Sequence, residues 1–217
     1  MSPQLRPSQG RYALPVTQTW SRGPPREDSG AMYAATNGGE RILRMTVSGP
    51  PGSGTSTLVG KLCEDRDWSS VNGGDIFREE ASNRGLTVVE FSALCKQDFD
   101  VDRSLDTILR HAMSDPKGPE VVESRLCGWW AHELGLQCLR VWVSVSNEER
   151  ARRIQNREGG DYQTCLELSK QRQSNDMERY RELYDIDLDD MSPYNLVVDA
   201  DELDANEVFG VVSMAVE

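Results

Sequence analysis

Histidine is almost absent from this 217-residue chain, which has only His111 and His132. Two separate imidazoles leave no donor set for a histidine-based metal centre and make a Ser-His-Asp relay a poor expectation. The cysteines are Cys63, Cys95, Cys127, Cys138 and Cys165, odd in number, widely spaced and without a C-x-x-C pair. That pattern is neither a disulfide framework nor a zinc site, and reduced thiols in the cytoplasm are the expected state. Positive charge is also scarce: Lys+Arg 24 against Asp+Glu 36 gives a net charge of -12. Such a body repels phosphate backbones, so nucleic acid is not an expected partner. No run approaches the ~20 apolar residues of a membrane span. The longest apolar stretch, around Val141-Trp142-Val143, is bounded by Arg140 and Ser144. No charged-then-apolar signal segment is seen either, and no membrane association is expected.

Hydrophobic residues make up only 37% of the chain, and the shortage is concentrated at one end. Residues 1–40 hold five of the ten prolines, show no helical or strand period, and set four arginines against three acids. A segment of that kind buries too little apolar surface to offset its ordering entropy. Residues 1–40 are therefore expected to be a disordered extension, and residues 41–217 one domain.

From residue 41 strand and helix patterns alternate. Apolar runs at residues 42–48, 69–73, 120–123, 138–145 and 196–199 predict five strands. Helical spacing lies between them: residues 55–66, two helices within 75–111, residues 147–157, 161–184 and 203–215. Thr87 and Glu90 stand at capping-box spacing. Strands separated by helices predict an α/β domain, three layers around a mostly parallel five-stranded sheet.

The most informative stretch is Gly49-Pro50-Pro51-Gly52-Ser53-Gly54-Thr55-Ser56-Thr57. It follows the first strand and opens the first helix, the context a phosphate-binding loop requires. Its glycines let backbone N–H groups converge on an anion, and the helix N-terminus adds partial positive charge. Against G-x-x-x-x-G-K-[ST] one position departs: Thr55 stands where lysine is expected. Ser56 holds the hydroxyl position that coordinates Mg²⁺.

With this loop in place, the chain resembles the archaeal-type cytidylate kinases, within the nucleoside monophosphate kinases of the P-loop group. The motifs that carry the resemblance are Val47 to Ser56, Gly74-Asp75-Ile76-Phe77-Arg78, Val121 to Trp129, Arg179-Tyr180 and Tyr184-Asp185-Ile186-Asp187. It spans about residues 43–215. Members of this branch often carry threonine at the lysine position, so Thr55 reads as a branch feature. Ser124 departs from the glycine usual there, which puts the local backbone in question. The resemblance implies a P-loop fold with a helical NMP-binding insertion at about residues 75–117 and a short lid at about 157–180. It implies ATP as phosphoryl donor with Mg²⁺, CMP or dCMP as acceptor, and a monomer.

The remaining motifs agree with that reading. Asp75 and Arg78 follow the second strand, where a glycine turn and an arginine one helical turn on form a clamp for a second phosphate. A surface pair of Arg78 with Asp75 or Glu79 is the plainer alternative. Glu123 and Arg125 end the third strand: the carboxylate is suited to accept from a cytosine amino group, the arginine to hold the acceptor phosphate, and a buried ion pair between the two is the plainer alternative. Trp129 and Trp130 are candidates for a base pocket or for core. Arg150, Arg153 and Arg157 share one helical face, and so do Arg172 and Arg179 with Asp176 between. Arginines closing over a migrating phosphoryl group supply much of its stabilisation, and Arg153, Arg157, Arg172 and Arg179 are the candidates. Two other readings stay open: an AMP- or UMP-directed kinase, and a non-catalytic nucleotide switch.

Overall fold

In the computed structural model, which describes residues 42–216 apart from 88–89, 92–93 and 96–98, the strands are β1 Met45–Ser48, β2 Ser70–Asn72, β3 Val121–Glu123, β4 Leu139–Ser144 and β5 Leu196–Asp199. The helices are α1 Thr55–Arg66, α2 Gly73–Asn83, α3 Phe99–Ser114, α4 Cys127–Glu133, α5 Asn147–Glu158, α6 Tyr162–Tyr184 and α7 Ala205–Ala215. The extension expected to be disordered lies outside the described residues. So do Val88 and Val89, although the flanking pair of the capping box is present. Thr87 N donates to Glu90 at 2.8 Å and Glu90 N to the Thr87 hydroxyl at 3.2 Å.

All five strands pair in parallel, in the order β2-β3-β1-β4-β5. Every residue of β1 and β3 is buried, as a sheet covered on both faces demands. On one face Met45, Val47, Val141 and Val143 pack with Leu58, Leu62 and Val212 of α1 and α7. On the other, Val71 and Val122 meet Leu109, Ala131 and Leu183 of α3, α4 and α6. β1 lies centrally, and the chain steps first to β2 and β3 on one side, then to β4 and β5 on the other. That reversal opens a crevice at the carboxyl ends of β1, β3 and β4, where doubly wound sheets bind ligands.

The strand at residue 42 begins later than its apolar pattern predicts. Arg44 N and Met45 N both donate to the Glu120 carbonyl, at 2.8 and 3.1 Å, so the regular ladder starts only at Met45. The helix at 147 is capped by Ser146, whose hydroxyl accepts from Glu149 N. Helix α4 has no counterpart among the expected elements. The question over Ser124 closes simply. Outside glycine, positive φ occurs among the described residues only at Asp67 and Asp185, so the turn after β3 does not require glycine.

Trp130 is core, 1% exposed, with its indole N–H donating to Asp106 at 3.3 Å. It lines no base pocket, and Trp129 is packed partly buried against the same cluster. Gly128, one residue earlier in α4, lies against the ring of Tyr194, and a Cβ there would overlap that ring. Gly128→Ala is expected to destabilise the domain by about 1–3 kcal/mol through overpacking. Calorimetry should find the melting midpoint roughly 2–10 °C lower; an unchanged midpoint would mean that Tyr194 moves aside freely.

Candidate active site

The loop from Gly49 to Thr57 wraps the carboxyl end of β1. Gly52 and Gly54 take φ of 85° and 90°, a region that side chains with a Cβ occupy only under strain. Ser53 N donates to the Pro50 carbonyl at 3.1 Å, closing the turn. Gly54 caps α1 without a side-chain hydrogen bond, and no acidic residue stands in the first helical turn. The first N–H groups of α1 thus face the crevice with no side chain capping them, an arrangement that suits an anion.

Glu123 ends β3 beside this loop. One carboxylate oxygen accepts from the hydroxyls of Thr55 at 2.8 Å and Ser56 at 2.7 Å. The other accepts from Asn72 Nδ2 at 2.6 Å. Asn72 is itself fixed, because its Oδ1 accepts from Gly74 N and caps α2. Glu123 is 8% exposed. Both oxygens are engaged by the phosphate loop and its neighbour, so this geometry puts Glu123 with the loop and not with the acceptor base. Thr55, at the lysine position, contributes a hydroxyl to that same carboxylate.

Three arginines reach the loop, one following β3 and two on α5. Arg125 donates to the Gly49 carbonyl at 2.7 Å and to Asp176 of α6 at 3.0 Å. Arg153 of α5 donates to the Ser53 carbonyl at 3.3 Å, pairs with Glu149 at 3.0 Å, and reaches the carbonyls of Ala200 and Leu203 after β5. Arg150 is 1% exposed and donates to the Pro51 carbonyl at 3.2 Å and to Asn147 and Gln173. Its hydrogen-bond partners are all neutral, with Glu148 the nearby acid. Burial, then the nearby charge of Arg125, pulls its pKa below the usual arginine range. A desolvated cation on the loop is what the missing lysine leaves room for, and Arg150 stands outside the four arginines proposed from sequence.

Arg179 joins two acids, Asp176 at 3.4 Å and Asp102 of α3 at 3.6 Å, and donates to the Tyr180 hydroxyl at 2.8 Å. A chain of alternating charge therefore runs from the Gly49 carbonyl through Arg125, Asp176 and Arg179 to Asp102. Arg157 and Arg172 are exposed. Arg157 pairs with Glu158, and Arg172 has no hydrogen-bond or ion-pair partner among the described residues. Arg78 pairs with Asp75 on the surface of α2, both more than half exposed; a pair so solvated is weakly held. Helices α5 and α6 form a hairpin across residues 159–161, where the lid is expected.

Two cavities flank the loop. One of about 540 Å³ lies between Gly52–Gly54, Arg153, Arg157 and the residues 201–205. The other, about 300 Å³, lies between Pro50, Pro51, Arg125, Arg150, Gln173 and Asp176. Both fall within the roughly 300–1,000 Å³ of small-molecule sites.

A family model described as an AAA domain matches residues 48–167. A cytidylate kinase of Haloarcula marismortui is 38% identical over 81% of this chain and 90% of its own. That of Methanocaldococcus jannaschii is 36% identical over 80% and 97%. The chain belongs to the archaeal-type cytidylate kinase family. Beyond the family, the crystal structure of a shikimate kinase from Bacteroides thetaiotaomicron superposes with a TM-score of 0.53 at 16% identity, over 80% of this chain and 97% of that one. At that identity the likeness speaks for the three-layer P-loop fold alone. The expected fold class thus holds.

Asn72, Arg150, Asp176 and Asp102 join the site only in three dimensions. Asn72 carried a signal, an asparagine placed before a glycine turn and a helix.

Proposed function

We propose that this protein transfers the γ-phosphoryl group of ATP to CMP or dCMP, giving ADP and CDP or dCDP. The observation that carries the reading is the junction of the phosphate loop with Glu123 and Arg125. It sets a triphosphate cradle beside an arginine facing a second cavity, in a chain of this family. An acceptor phosphate oxygen attacks the γ-phosphorus in line while the bond to the β-phosphate oxygen breaks, and no covalent enzyme intermediate is needed. The loop N–H groups hold the donor phosphates. Arg153 and Arg157 border the larger cavity, which we assign to the donor nucleoside. Arg125 and Arg78 hold the acceptor phosphate, Asp75 orients Arg78, and Arg172 swings in from α6.

Mg²⁺ suits the Ser56 hydroxyl and the Glu123 carboxylate, hard oxygen donors 2.7 Å apart. When bound it would neutralise charge on the donor phosphates. Among the described residues no group of three or more His, Cys, Asp or Glu could hold a metal by itself. Mg²⁺ in kinases takes only one or two carboxylates and completes its shell with substrate phosphates and water. Among the described residues the exposed large apolar side chains Ile42, Leu134, Leu168 and Val197 lie on different parts of the chain, and only Val211 and Met214 share an element, α7, which supports a monomer. Five free thiols support a cytoplasmic enzyme.

A coupled ADP-release assay with AMP, CMP, dCMP, UMP and GMP tests the reading. Turnover is expected with CMP and dCMP; none with any acceptor would leave a nucleotide-binding switch. Arg78→Ala should raise KM for CMP by roughly 10- to 100-fold, since a charge-assisted phosphate contact is worth about 1.5–3 kcal/mol. KM for ATP should stay near wild type. If ATP suffers instead, donor and acceptor sites are reversed.

A further inference from the structure

Nothing between Gly49 and Thr57 carries a positive charge. Thr55 stands at the lysine position and gives its hydroxyl to Glu123 at 2.8 Å, so the loop has no cation of its own to set against bound phosphates. Three arginines donate to its carbonyls, those of Gly49, Pro51 and Ser53, and two of them are already neutralised. Arg125 pairs with Asp176 and Arg153 with Glu149, each at 3.0 Å. Arg150 has no ion-pair partner among the described residues. The nearby acid, Glu148, stands 3.8 Å from Lys170, and Asp176 is shared between Arg125 and Arg179. Arg150 is also the one buried cation among the described residues, and its Nε has no hydrogen-bond partner there. A buried charge without a counter-charge is costly until something negative arrives. The other unpaired candidate, Arg172, is exposed, and water weakens its field.

We infer that Arg150 supplies from α5 the positive charge that other phosphate loops carry on their lysine. The inference rests on the kinase reading above. Helix α5 packs directly on the loop: a Cβ on Gly52 would lie 3.1 Å from Ile154 Cδ1 and 3.4 Å from Arg150 Cβ. The guanidinium holds the Pro51 carbonyl at 3.2 Å. Its side chain also borders, with Pro50, Pro51 and Arg125, the cavity of about 300 Å³, so the charge fronts a space that a phosphoryl group can enter. Arg150 touches the loop and not the reacting atoms, which makes it a positioning residue. Its charge is needed most as negative charge develops in transfer, so its contribution belongs to kcat more than to KM for CMP. A lysine placed at position 55 would duplicate that charge, and the two positions should therefore be strongly coupled.

The test is a double-mutant cycle of Arg150→Met and Thr55→Lys, read as steady-state kinetics with ATP and CMP. Arg150→Met should lower kcat by roughly 10- to 100-fold while KM for CMP changes less than about threefold. Adding Thr55→Lys to that variant should restore at least about tenfold of kcat, whereas Thr55→Lys alone should raise it less than about threefold. The same factor from Thr55→Lys in both backgrounds would overturn the inference, because a merely structural arginine is not replaced by a lysine across the loop. A loss confined to KM for CMP would also overturn it, by making Arg150 an acceptor contact. If Arg150→Met does not fold, Thr55→Lys alone decides: a kcat gain above about threefold would show a loop still short of charge and overturn the inference, with the kinase intact. Wild-type inactivity would sink the kinase reading itself, and this one with it.

Discussion

Glu123→Ala is expected to cost the enzyme both its turnover and much of its stability. The carboxylate closes the Thr55, Ser56 and Asn72 contacts at 2.8, 2.7 and 2.6 Å. Removing it takes the charged acceptor from three donors, two on half-buried residues and one on the exposed Ser56, for about 2–4 kcal/mol of destabilisation. The midpoint should fall by roughly 5–15 °C. Turnover should fall by about 10²–10³, because the carboxylate that orients the Thr55 and Ser56 hydroxyls and would hold Mg²⁺ is lost. Glu123→Gln separates the two effects. Its carbonyl can still accept from both hydroxyls, but its amide would face the Asn72 amide. Asn72 cannot turn to oblige, because its Oδ1 holds the α2 cap. Part of the midpoint should return and the turnover should not. Wild-type turnover in Glu123→Gln would show that the negative charge plays no part in catalysis.

Arg125→Ala should reduce kcat/KM for CMP by about 10²-fold or more, because two charge-assisted hydrogen bonds disappear at once. Arg125 is the piece that ties the Gly49 carbonyl of the loop to Asp176 of α6, at 2.7 and 3.0 Å. Arg125→Lys keeps the charge but not the fork. One ammonium cannot span the same two acceptors and still meet a phosphate, so lysine should recover no more than about a tenth of the lost activity. The comparison requires steady-state kinetics with CMP varied at saturating ATP, and with ATP varied at saturating CMP. Near-complete rescue by lysine would mean that only charge counts at this position, and that its link to α6 is incidental.

How far the sequence could be read depended on how local each signal was. The phosphate loop is contiguous, and so were its glycines, its helix and its departure at Thr55. Strand β5 was legible because Pro193 and the acids after residue 198 bound a short apolar run. Helix α4 was not, because Cys127-Gly128-Trp129-Trp130-Ala131 is nearly apolar throughout and Leu126 offers no cap. A run without a polar face has no period to detect. The partners of Glu123 stand 51, 67 and 68 residues away, and no spacing rule connects them. Arg150 lay on a recognised arginine face, but arginine is so seldom fully buried that its interior position could not be foreseen. Asp176 was legible only as the acid between Arg172 and Arg179, and Asp102 carried no signal.

The charge chain from Gly49 to Asp102 means that the crevice supplies its own counter-ions. An arriving phosphate does not meet a bare guanidinium; it trades places with a carboxylate already seated there. What such a trade yields is the difference between two ion pairs, a quantity much smaller than either. At the Arg125 end of the crevice a simple anion should therefore gain little by entering. Retention there must draw as well on the uncapped N–H groups of the loop and on the parts of a nucleotide that no carboxylate can imitate, its sugar and its base.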